Sequence, residues 1–549
     1  MKYPGILYVT MEPKPELPDE QFHEWYNNEH GPTRLRMPHI FTNGLRYRAI
    51  DKKQPSFLAS YDITSMPLLE TETYTRLRAS RSPREADTIA QIDVTRYFWD
   101  LIAIRQDRLP MSIEQFTDDE AEGLVLVAAE LAPKDAAAAA AADSVVEDEI
   151  HKWFEEHSDM LSRVPGWLQS RLFRTSHLET GKTRSYLMLT DYAKENGISG
   201  DEYRAAIASP TTQNIFSKHI RTVSKRKYSL FYVFGPAPRD LTNLAQLEPA
   251  KSRFQSSDLH TTTSNDDGAG PVIQSHITTA DSLSIPYRLE GNPDPQAPVI
   301  AFCNSLLTSL HMWDAFVAIL RAERPQYRVL RYDARGRGAL PEPPTPATME
   351  AHASDLAQLL AALRVPRLAA LVGVSMGGAT ALRFALTHPE KLGTLIACDF
   401  NAVSSSANTE AWKARIAVAE TPLENGTPGI ARLAGQTVER WFHPSTMQGK
   451  PEIARWMEGM VAANDVQGFR YGCQALWDYD MREEMRGCRV PALLVAGEGD
   501  GKGALVKAMD GFRGGLGPDG TELAVVPDAG HLPMCENPQG FWEVVKKQL

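Results

Sequence analysis

The sequence predicts a chain of two fold classes: an α+β region made of a duplicated unit, and an α/β domain with a mostly parallel sheet. Two observations predict this division. Residues 5–235 contain one pattern twice, and after Pro271 short apolar segments alternate with helical ones. The length fits, because the 549 residues exceed the roughly 300 residues at which single hydrophobic cores stop growing.

Each copy of the duplicated pattern begins with an apolar strand, continues with a helix that carries a Trp-aromatic pair, and then returns to strands. The matched positions are Trp25, Tyr26 and His30 in the first copy and Trp153, Phe154 and His157 in the second. Each copy is therefore expected to fold as strand, helix, strand, strand, helix, strand, which is the ferredoxin-like arrangement. We assign residues 1–118 to the first copy and 119–235 to the second.

The run Phe-His-Glu-Trp-Tyr-Asn-Asn-Glu-His-Gly-Pro over 22–32 resembles EthD-like members of the dimeric α+β barrel superfamily. In that family two units pack their sheets face to face, so a tandem copy in one chain implies an internal pseudo-dimer. The resemblance would allow a ligand cavity in each half, beside His30 and His157. Histidines at helix ends are also ordinary packing residues, and we favour that structural role for both.

Two segments of biased composition interrupt the pattern. Residues 236–271 are rich in Pro, Ser, Thr, Asn and Asp, which predicts a linker because such a stretch buries too little apolar surface to offset its ordering entropy. The alanines over 136–142 predict a helical or mobile extension before the second copy's first helix.

Residues 272–549 predict an α/β domain whose buried strands are short and apolar and are separated by helices. A helical insertion rich in Trp and Met, over about 401–480, interrupts the sheet and is a candidate lid. The strand candidates are 299–303, 327–332, 368–372, 395–398, 492–496 and 523–526.

Charge and composition exclude several function classes. The 58 Lys and Arg against 69 Asp and Glu give a formal charge of −11, which disfavours nucleic acid and anionic membranes as partners. Five cysteines without C-x-x-C spacing give no metal site and fit a reduced, cytoplasmic location. The N-terminus predicts a first strand rather than a signal peptide. We therefore expect a small-molecule substrate and a monomer or homodimer.

The motif Gly373-Val-Ser375-Met-Gly377 predicts a catalytic nucleophile. It follows the strand over 368–372 and precedes an Ala/Leu-rich helix, which is the context that G-x-S-x-G requires. Such a turn holds the serine in a strained conformation, and a Cβ two residues before or after it would collide with its surroundings, so glycine fits both positions.

A serine hydroxyl needs a base to remove its proton, and imidazole suits this task at neutral pH. His531 follows the strand over 523–526 and lies on a loop at the same sheet edge as Ser375. The third member should orient the imidazole. We assign Asp500, at the end of the preceding strand, while Glu498 competes for the role and Asp528 is a weaker candidate.

The oxyanion that forms during acyl transfer needs two backbone N–H donors. We assign one to Met376, which follows the nucleophile, and the other to Leu306, in the loop after the strand over 299–303. Ligand sites are largely apolar concavities, so substrate contacts are predicted in this loop and in the insertion. The predicted substrate-binding residues are Ser305, Trp313, Trp412, Trp441 and Trp477.

The second half resembles the α/β-hydrolase family over essentially its whole length, and within it the 3-oxoadipate enol-lactonase branch. The motifs that carry the resemblance lie at 304–306, 312–314, 332–338, 374–378, 468–476, 497–500 and 530–531. The resemblance implies that the nucleophile, acid and base are Ser375, Asp500 and His531. Leu307, at a position that is often glycine, departs from the pattern.

These residues predict a serine hydrolase that cleaves an ester, lactone or enol-lactone of a small organic molecule through an acyl-enzyme, with a polyketide-like molecule as one option. No cofactor beyond water is required. The same residues would also serve carbon–carbon bond hydrolysis, acyl transfer or cyclisation in secondary metabolism. A hypothesis of another class is a non-catalytic ligand-binding or assembly protein.

Overall fold

The computed structural model describes residues 4–106, 112–134, 145–266, 268, 270–338, 340–342, 344–424 and 426–549. The chain forms two compact units. The barrel unit comprises Met1–Pro236 with Ser256–Asp258, and the sheet unit comprises Ala237–Gln255 with Leu259–Leu549. Within the described ranges, no helix has the length and apolar character needed to cross a lipid bilayer. The alanine run 136–142 lies outside the described residues.

The barrel unit is a closed, antiparallel, eight-stranded barrel. Closure gives every strand two neighbours, so no backbone edge is left unpaired. Its strands are β1 Gly5–Pro13, β2 Leu45–Ala49, β3 Phe57–Ile63, β4 Ile92–Gln106, β5 Val125–Pro133, β6 Trp167–Thr175, β7 Tyr186–Tyr192 and β8 Ile220–Val233.

The strand order of the barrel repeats itself. Around the barrel it runs β4-β1-β3-β2 and then β8-β5-β7-β6, so each strand of the first half has its counterpart four strands later in the chain. The halves join through β2 with β8, where Leu45 pairs with Val233, and through β4 with β6, where Trp99 pairs with Thr175. The sequence repeat thus corresponds to two halves with matching strand order.

In each half, helices connect the first strand to the second and the third strand to the fourth. The first helix is followed directly by a π-helical turn, Tyr26–His30. The α-helices of the barrel unit are α1 Asp19–Trp25, α2 Gly31–Leu35, α3 Glu72–Ala79, α4 Pro83–Ala90, α5 Asp118–Ala121, α6 Val145–Leu161, α7 Asp201–Ile207 and α8 Pro210–His219.

The sheet unit is built on ten strands in the order β18-β17-β16-β15-β13-β14-β12-β11-β10-β9. The six strands from β18 to β14 are parallel, and the remaining four are added antiparallel at one side. The strands are β9 Phe254–Gln255, β10 Thr262–Asp266, β11 Gly270–Thr278, β12 Ser284–Gly291, β13 Val299–Cys303, β14 Arg328–Tyr332, β15 Leu368–Val374, β16 Leu392–Cys398, β17 Ala492–Gly497 and β18 Glu522–Val526.

All six strand segments predicted for this half are strands, and helices separate them. Five helices, α13 to α17, stand between β16 and β17 and form the predicted helical insertion. The helices are α9 Leu241–Leu244, α10 Asp314–Glu323, α11 Met349–Ala362, α12 Met376–Thr387, α13 Ser406–Glu420, α14 Gly429–Trp441, α15 Pro444–Gly449, α16 Pro451–Ala462, α17 Val466–Cys473, α18 Ala504–Arg513, α19 Pro533–Glu536 and α20 Pro538–Val545.

The segment 236–271, predicted as a linker, differs in the structure. Most of it is part of the sheet unit: Leu241 and Leu244 of α9 are fully buried in the core, and β10 pairs with β11, with Thr262 opposite Gln274. The composition misleads because threonine is a good strand former, so backbone pairing supplies the ordering that apolar side chains would otherwise provide.

A fragment that begins at Ala237 is therefore expected to be more stable than one that begins at Val272. The shorter fragment lacks β9, β10 and the two buried leucines of α9. Burial of each leucine side chain contributes about 2 kcal/mol to the free energy of unfolding. The Tm of the shorter fragment, followed by circular dichroism, should be lower by roughly 10 °C. Equal Tm values would show that 237–271 does act as a linker.

Candidate active site

Ser375 occupies a strained turn between β15 and α12. Its φ of 59° and ψ of −121° lie in a region of backbone conformation that residues other than glycine rarely adopt. A Cβ on Gly373 would lie 2.1 Å from the carbonyl oxygen of Gly377, and one on Gly377 would lie 2.2 Å from the carbonyl oxygen of Cys303. Glycine is thus required at both positions of the motif because backbone carbonyl oxygens lie too close for a Cβ, as the spacing predicts.

The amide of Met376 is at the first position of α12, where the helix dipole is positive. Leu306 lies in the loop after β13, and both residues line the same cavity as Ser375. Within the part of the chain that the structure describes, neither amide donates a hydrogen bond to another backbone carbonyl. Both N–H groups are therefore available to an oxyanion.

Side-chain hydrogen bonds hold the loop that carries Leu306 in place. The Asn304 side chain donates to the carbonyl of Tyr332 at 2.8 Å and accepts from the indole of Trp313 at 2.9 Å. Leu307 has a φ of 70°, and its carbonyl accepts from the amide side chain of Asn464 at 2.8 Å. Leu307, which stands where the resembled family often has glycine, thus adopts a left-handed backbone conformation. For a residue with a Cβ this conformation costs about 1–2 kcal/mol of stability.

His531 and Asp500 meet at the carboxyl edge of the sheet. Nδ1 of His531 lies 2.7 Å from Oδ2 of Asp500, and both side chains are largely buried. Because an ionised carboxylate only accepts, Nδ1 carries the proton, and Nε2 is then the ring nitrogen that can accept one. Glu498 and Asp528, the competing carboxylates, are exposed, and the amide of Asp528 donates to Glu498 at 3.3 Å.

Asp399, which the sequence analysis does not single out, completes this cluster. It directly follows β16, has a φ of 46° and accepts from the amide of Gly497 at 2.9 Å. One donor atom each from Asp399, Asp500 and His531 lies within 4.8 Å of the others. These atoms could also bind a divalent cation, but Nδ1 already donates to Asp500, which fits proton transfer instead.

The two carboxyl groups of the cluster titrate differently. Complete burial and the charge of Asp500 raise the pKa of Asp399 well above its ordinary value. Burial opposes ionisation of Asp500 as well, but the facing imidazole and its hydrogen bonds lower the pKa of Asp500. Of the two, Asp399 is therefore the carboxyl that takes up a proton more readily, and Asp500 is the one that ionises more readily.

The loop of His531 is tied to the insertion. The amide of His531 donates to the carbonyl of Trp441, at the end of α14, at 2.7 Å, and the two rings stack 5.6 Å apart. Fully buried Glu536 accepts from the amide of Gly530 at 2.8 Å and from that of His443 at 2.7 Å. These bonds fix the direction of the imidazole.

A cavity of about 700 Å³ opens above these residues, within the usual range for small-molecule sites. Ser375, Asp500, His531, Leu306 and Met376 all line it, so the structure brings the predicted nucleophile, acid, base and amide donors to one place. The wall also contains Ser305, Trp412 and Trp441 of the predicted substrate contacts, and from the insertion Ser405, Ala407, Asn408, Arg415, Arg440, Leu476 and Tyr479.

Trp313 and Trp477, also predicted as substrate contacts, are not among the cavity-lining residues described. Trp313 is fully buried and donates its indole N–H to Asn304, so it supports the oxyanion loop from inside the core. Trp477 is half-buried and packs against the core. Aromatic residues at helical spacing reveal burial but not whether the buried side faces a ligand or the core.

The matched histidines of the barrel unit have packing partners. Nδ1 of His30 lies 2.7 Å from Glu85, and that of His157 lies 3.2 Å from the hydroxyl of Thr212. Burial lowers the pKa of His30 to about 3 and that of His157 to about 4, so both rings are neutral. His157 also lines a cavity of about 80 Å³.

A third buried histidine, His23, gives a pH-dependent stability. Neither ring nitrogen has a hydrogen-bond partner, and burial lowers its pKa to about 2. The unfolded chain therefore binds a proton as the pH falls below about 6.5 while the folded barrel does not, and by pH 5 this removes about 2 kcal/mol of stability.

His23→Phe, which keeps the ring contacts with Phe22, Phe57 and Phe231, should reduce this loss by the same amount. Hydrogen exchange of barrel peptides at pH 5 and pH 7.5 measures it. The matched control is His39→Gln, because His39 is exposed. An unchanged pH dependence in His23→Phe would contradict the assignment.

The sheet, the strained serine turn and the histidine loop at one edge define an α/β hydrolase. A sequence profile for the alpha/beta hydrolase fold matches residues 298–538, inside the sheet unit. The chain is 31% identical over 268 residues to 3-oxoadipate enol-lactonase 2 of Acinetobacter baylyi, covering 49% of this chain and 94% of that protein. The chain belongs to the α/β-hydrolase family and is a hydrolase.

Two further similarities concern the same half of the chain. 3-Oxoadipate enol-lactonase 1 of Acinetobacter baylyi is 29% identical over 268 residues, which cover 49% of this chain and 94% of that protein. A crystal structure of the enol-lactonase from Burkholderia xenovorans LB400 is 29% identical with a TM-score of 0.44, covering 50% of this chain and 98% of that one.

Proposed function

We propose that the chain is a serine hydrolase that cleaves an ester, lactone or enol-lactone of a small organic molecule through an acyl-enzyme. The observation that carries this proposal is the convergence of Ser375, His531, Asp500 and two unoccupied backbone amides on one cavity. The names of the enol-lactonases that the chain resembles support a lactone or ester substrate.

The mechanism assigns each group one task. Nε2 of His531 takes the proton of the Ser375 hydroxyl as its oxygen attacks the substrate carbonyl, and the amides of Leu306 and Met376 donate to the oxyanion. His531 then returns the proton to the leaving alkoxide or enolate. Water, deprotonated by the same imidazole, hydrolyses the acyl-enzyme, while Asp500 stabilises the imidazolium in both halves.

For the barrel unit we propose two EthD-like halves that pair within one chain. The matching strand orders β4-β1-β3-β2 and β8-β5-β7-β6 support a duplicated ferredoxin-like unit. Because each half already has its partner, this unit does not need a second chain to close its barrel. The presence of such a fused unit keeps acyl transfer or cyclisation, with the same residues, as the second candidate reaction.

A fluorophosphonate probe tests the proposal on the full-length protein. We expect covalent labelling at Ser375, identified by peptide mapping, because only an activated serine attacks phosphorus. Labelling should disappear in Ser375→Ala and persist in Ser305→Ala, the matched hydroxyl in the same cavity. A folded protein that stays unlabelled would support the non-catalytic, ligand-binding hypothesis instead.

A further inference from the structure

The oxyanion loop, residues 304–309, contains a turn that its own backbone does not favour. The carbonyl of Ser305 accepts from the amide of Thr308 at 3.2 Å and from its hydroxyl at 2.7 Å, so Leu306 and Leu307 are the central residues of the turn. Leu307 has a φ of 70°, a conformation that glycine adopts freely and leucine does not. Because the amide of Leu306 is the proposed oxyanion donor, the contacts that keep this turn in shape also control that donor.

Two side chains from outside the oxyanion loop hold the strained residue. The carbonyl of Leu307 accepts from Nδ2 of Asn464 at 2.8 Å and from Nη1 of Arg337 at 3.1 Å. Both donors are half-buried, where a hydrogen bond is electrostatically stronger than it is in water. Asn464 follows the insertion helix α16, whereas Arg337 lies in the loop after β14. A carbonyl held by donors from two separate segments cannot rotate freely, so these bonds maintain the left-handed conformation.

The same two donors also bind the end of α16. Nδ2 of Asn464 donates to the carbonyl of Val461 at 2.9 Å, and Nη1 of Arg337 donates to that of Met460 at 3.4 Å. The last carbonyls of a helix have no partner within the helix, so these side chains cap α16 and hold Leu307 at the same time. The position of the end of α16 and the conformation of Leu307 are therefore coupled.

Further contacts join the insertion to the oxyanion loop. The thioether sulfur of Met460 accepts from the amide of Ser309 at 3.3 Å. A Cβ on Gly472 of α17 would lie 2.8 Å from Cδ1 of Leu306, so α17 packs closely against the residue that carries the proposed donor. Asn304 fixes the start of the loop against the core, and the insertion supplies contacts to the rest of it.

We propose that Asn464 and Arg337 are positioning residues for the oxyanion donor of Leu306. The inference rests on the proposed function and adds a condition to it: the amide of Leu306 is correctly placed only while the end of α16 is docked on the Leu307 carbonyl. Neither positioning residue is among the described residues that line the catalytic cavity. Their effect is felt in the transition state, where the substrate carbonyl oxygen gains negative charge and depends on both amide donors.

Steady-state kinetics of the full-length protein with 4-nitrophenyl butyrate test the proposal. Asn464→Ala and Arg337→Met should each lower kcat by roughly 10-fold to 100-fold, because a displaced donor stabilises the oxyanion less. The ratio kcat/KM should fall by the same factor, as expected for an interaction made only in the transition state. Arg337→Lys should recover most of the rate, since lysine keeps a donor for the carbonyl of Leu307.

The matched control is Arg432→Met. Arg432 donates to the carbonyl of Val418, in the last turn of α13, at 3.3 Å. This control removes a similar bond between an arginine and a helix-end carbonyl of the insertion, but not one to the oxyanion loop. Its kcat should equal that of the wild type, and thermal unfolding measured in parallel shows how much stability each variant has lost.

Inhibitor binding separates positioning from a general loosening of the site. With an alkyl trifluoromethyl ketone, Oγ of Ser375 bonds to the carbonyl carbon, His531 takes the hydroxyl proton, and the carbonyl oxygen becomes an oxyanion that resembles the transition state. The affinity of this ketone should fall by the same factor as kcat in Asn464→Ala. The affinity of the corresponding methyl ketone, which binds without forming the adduct, should not change.

Leu307→Gly supplies a test that does not depend on how much activity each variant loses by itself. Glycine adopts a positive φ without steric cost, so the turn should then need its two donors less. Asn464→Ala should therefore lower kcat by a smaller factor in the Leu307→Gly background than in the wild type, which a double-mutant cycle measures.

Three results would overturn the positioning role: an unchanged kcat in both Asn464→Ala and Arg337→Met, an equal loss of affinity for the two ketones, or effects of Leu307→Gly and Asn464→Ala that simply add. Failure of the proposed function shows separately, as absent fluorophosphonate labelling of Ser375 in the wild-type protein.

Discussion

Ser375→Ala is expected to lower kcat for a 4-nitrophenyl ester or a lactone by at least about 10⁴-fold while the protein remains folded. The variant removes the attacking oxygen but leaves the amide donors and the cavity in place, so a small residual rate should persist. Alanine also keeps a Cβ in the strained turn, where φ is 59°, so little change in stability is expected.

Initial rates under substrate saturation, with thermal unfolding measured in parallel, check this result. Contaminating esterases would give a false residual rate. Comparing the Ser375→Ala variant with the wild type after identical purification shows how much of the rate is background. A variant that keeps more than about a tenth of the wild-type rate would show that the reaction does not pass through Ser375, and the acyl-enzyme mechanism would be wrong.

Asp500→Asn is expected to lower kcat by about 10³-fold to 10⁴-fold, far more than Asp399→Asn. An amide at position 500 can donate to Nδ1 of His531 and so favours the wrong tautomer of the imidazole. At position 399 an amide resembles the protonated carboxyl: it can accept from Gly497, donate to Asp500 and tolerate the left-handed backbone. The expected decrease in kcat for Asp399→Asn is less than about 10-fold.

The pH dependence separates the two positions further. As the pH rises, wild-type Asp399 eventually loses its proton and places a second negative charge beside Asp500, because its pKa is raised but finite. Asparagine cannot ionise, so Asp399→Asn should retain more activity than the wild type on the alkaline side. Profiles of kcat/KM against pH measure this difference. Equal inactivation by both substitutions would instead make Asp399 a partner of the imidazole in its own right.

The parts of the site that lie within one short segment are predictable from the sequence. The glycines of the serine turn are dictated by local backbone geometry, and the contacts that a Cβ would make at Gly373 and Gly377 explain why the motif has that spacing. His531 and Asp500 are predictable because loops after parallel strands meet at one edge. The strands of the parallel core follow from their continuous apolar runs.

Other features depend on tertiary packing and leave weaker signals. Asp399 is a single acid after a buried strand; the signal that could have identified it is its place beside β17, the strand that leads to Asp500. Trp313 and Trp412 look alike in sequence, yet one braces Asn304 and the other lines the cavity. The segment Thr262–Asp266 is a strand because β11 pairs with it.

The ties between His531 and the insertion limit how the catalytic chamber can admit substrate. Since the backbone of the base is bonded to Trp441, and Glu536 joins both segments, a swing of this end of α14 would drag the imidazole out of alignment. A movement of the insertion that kept the proposed proton transfer intact would therefore have to leave this end of α14 in place.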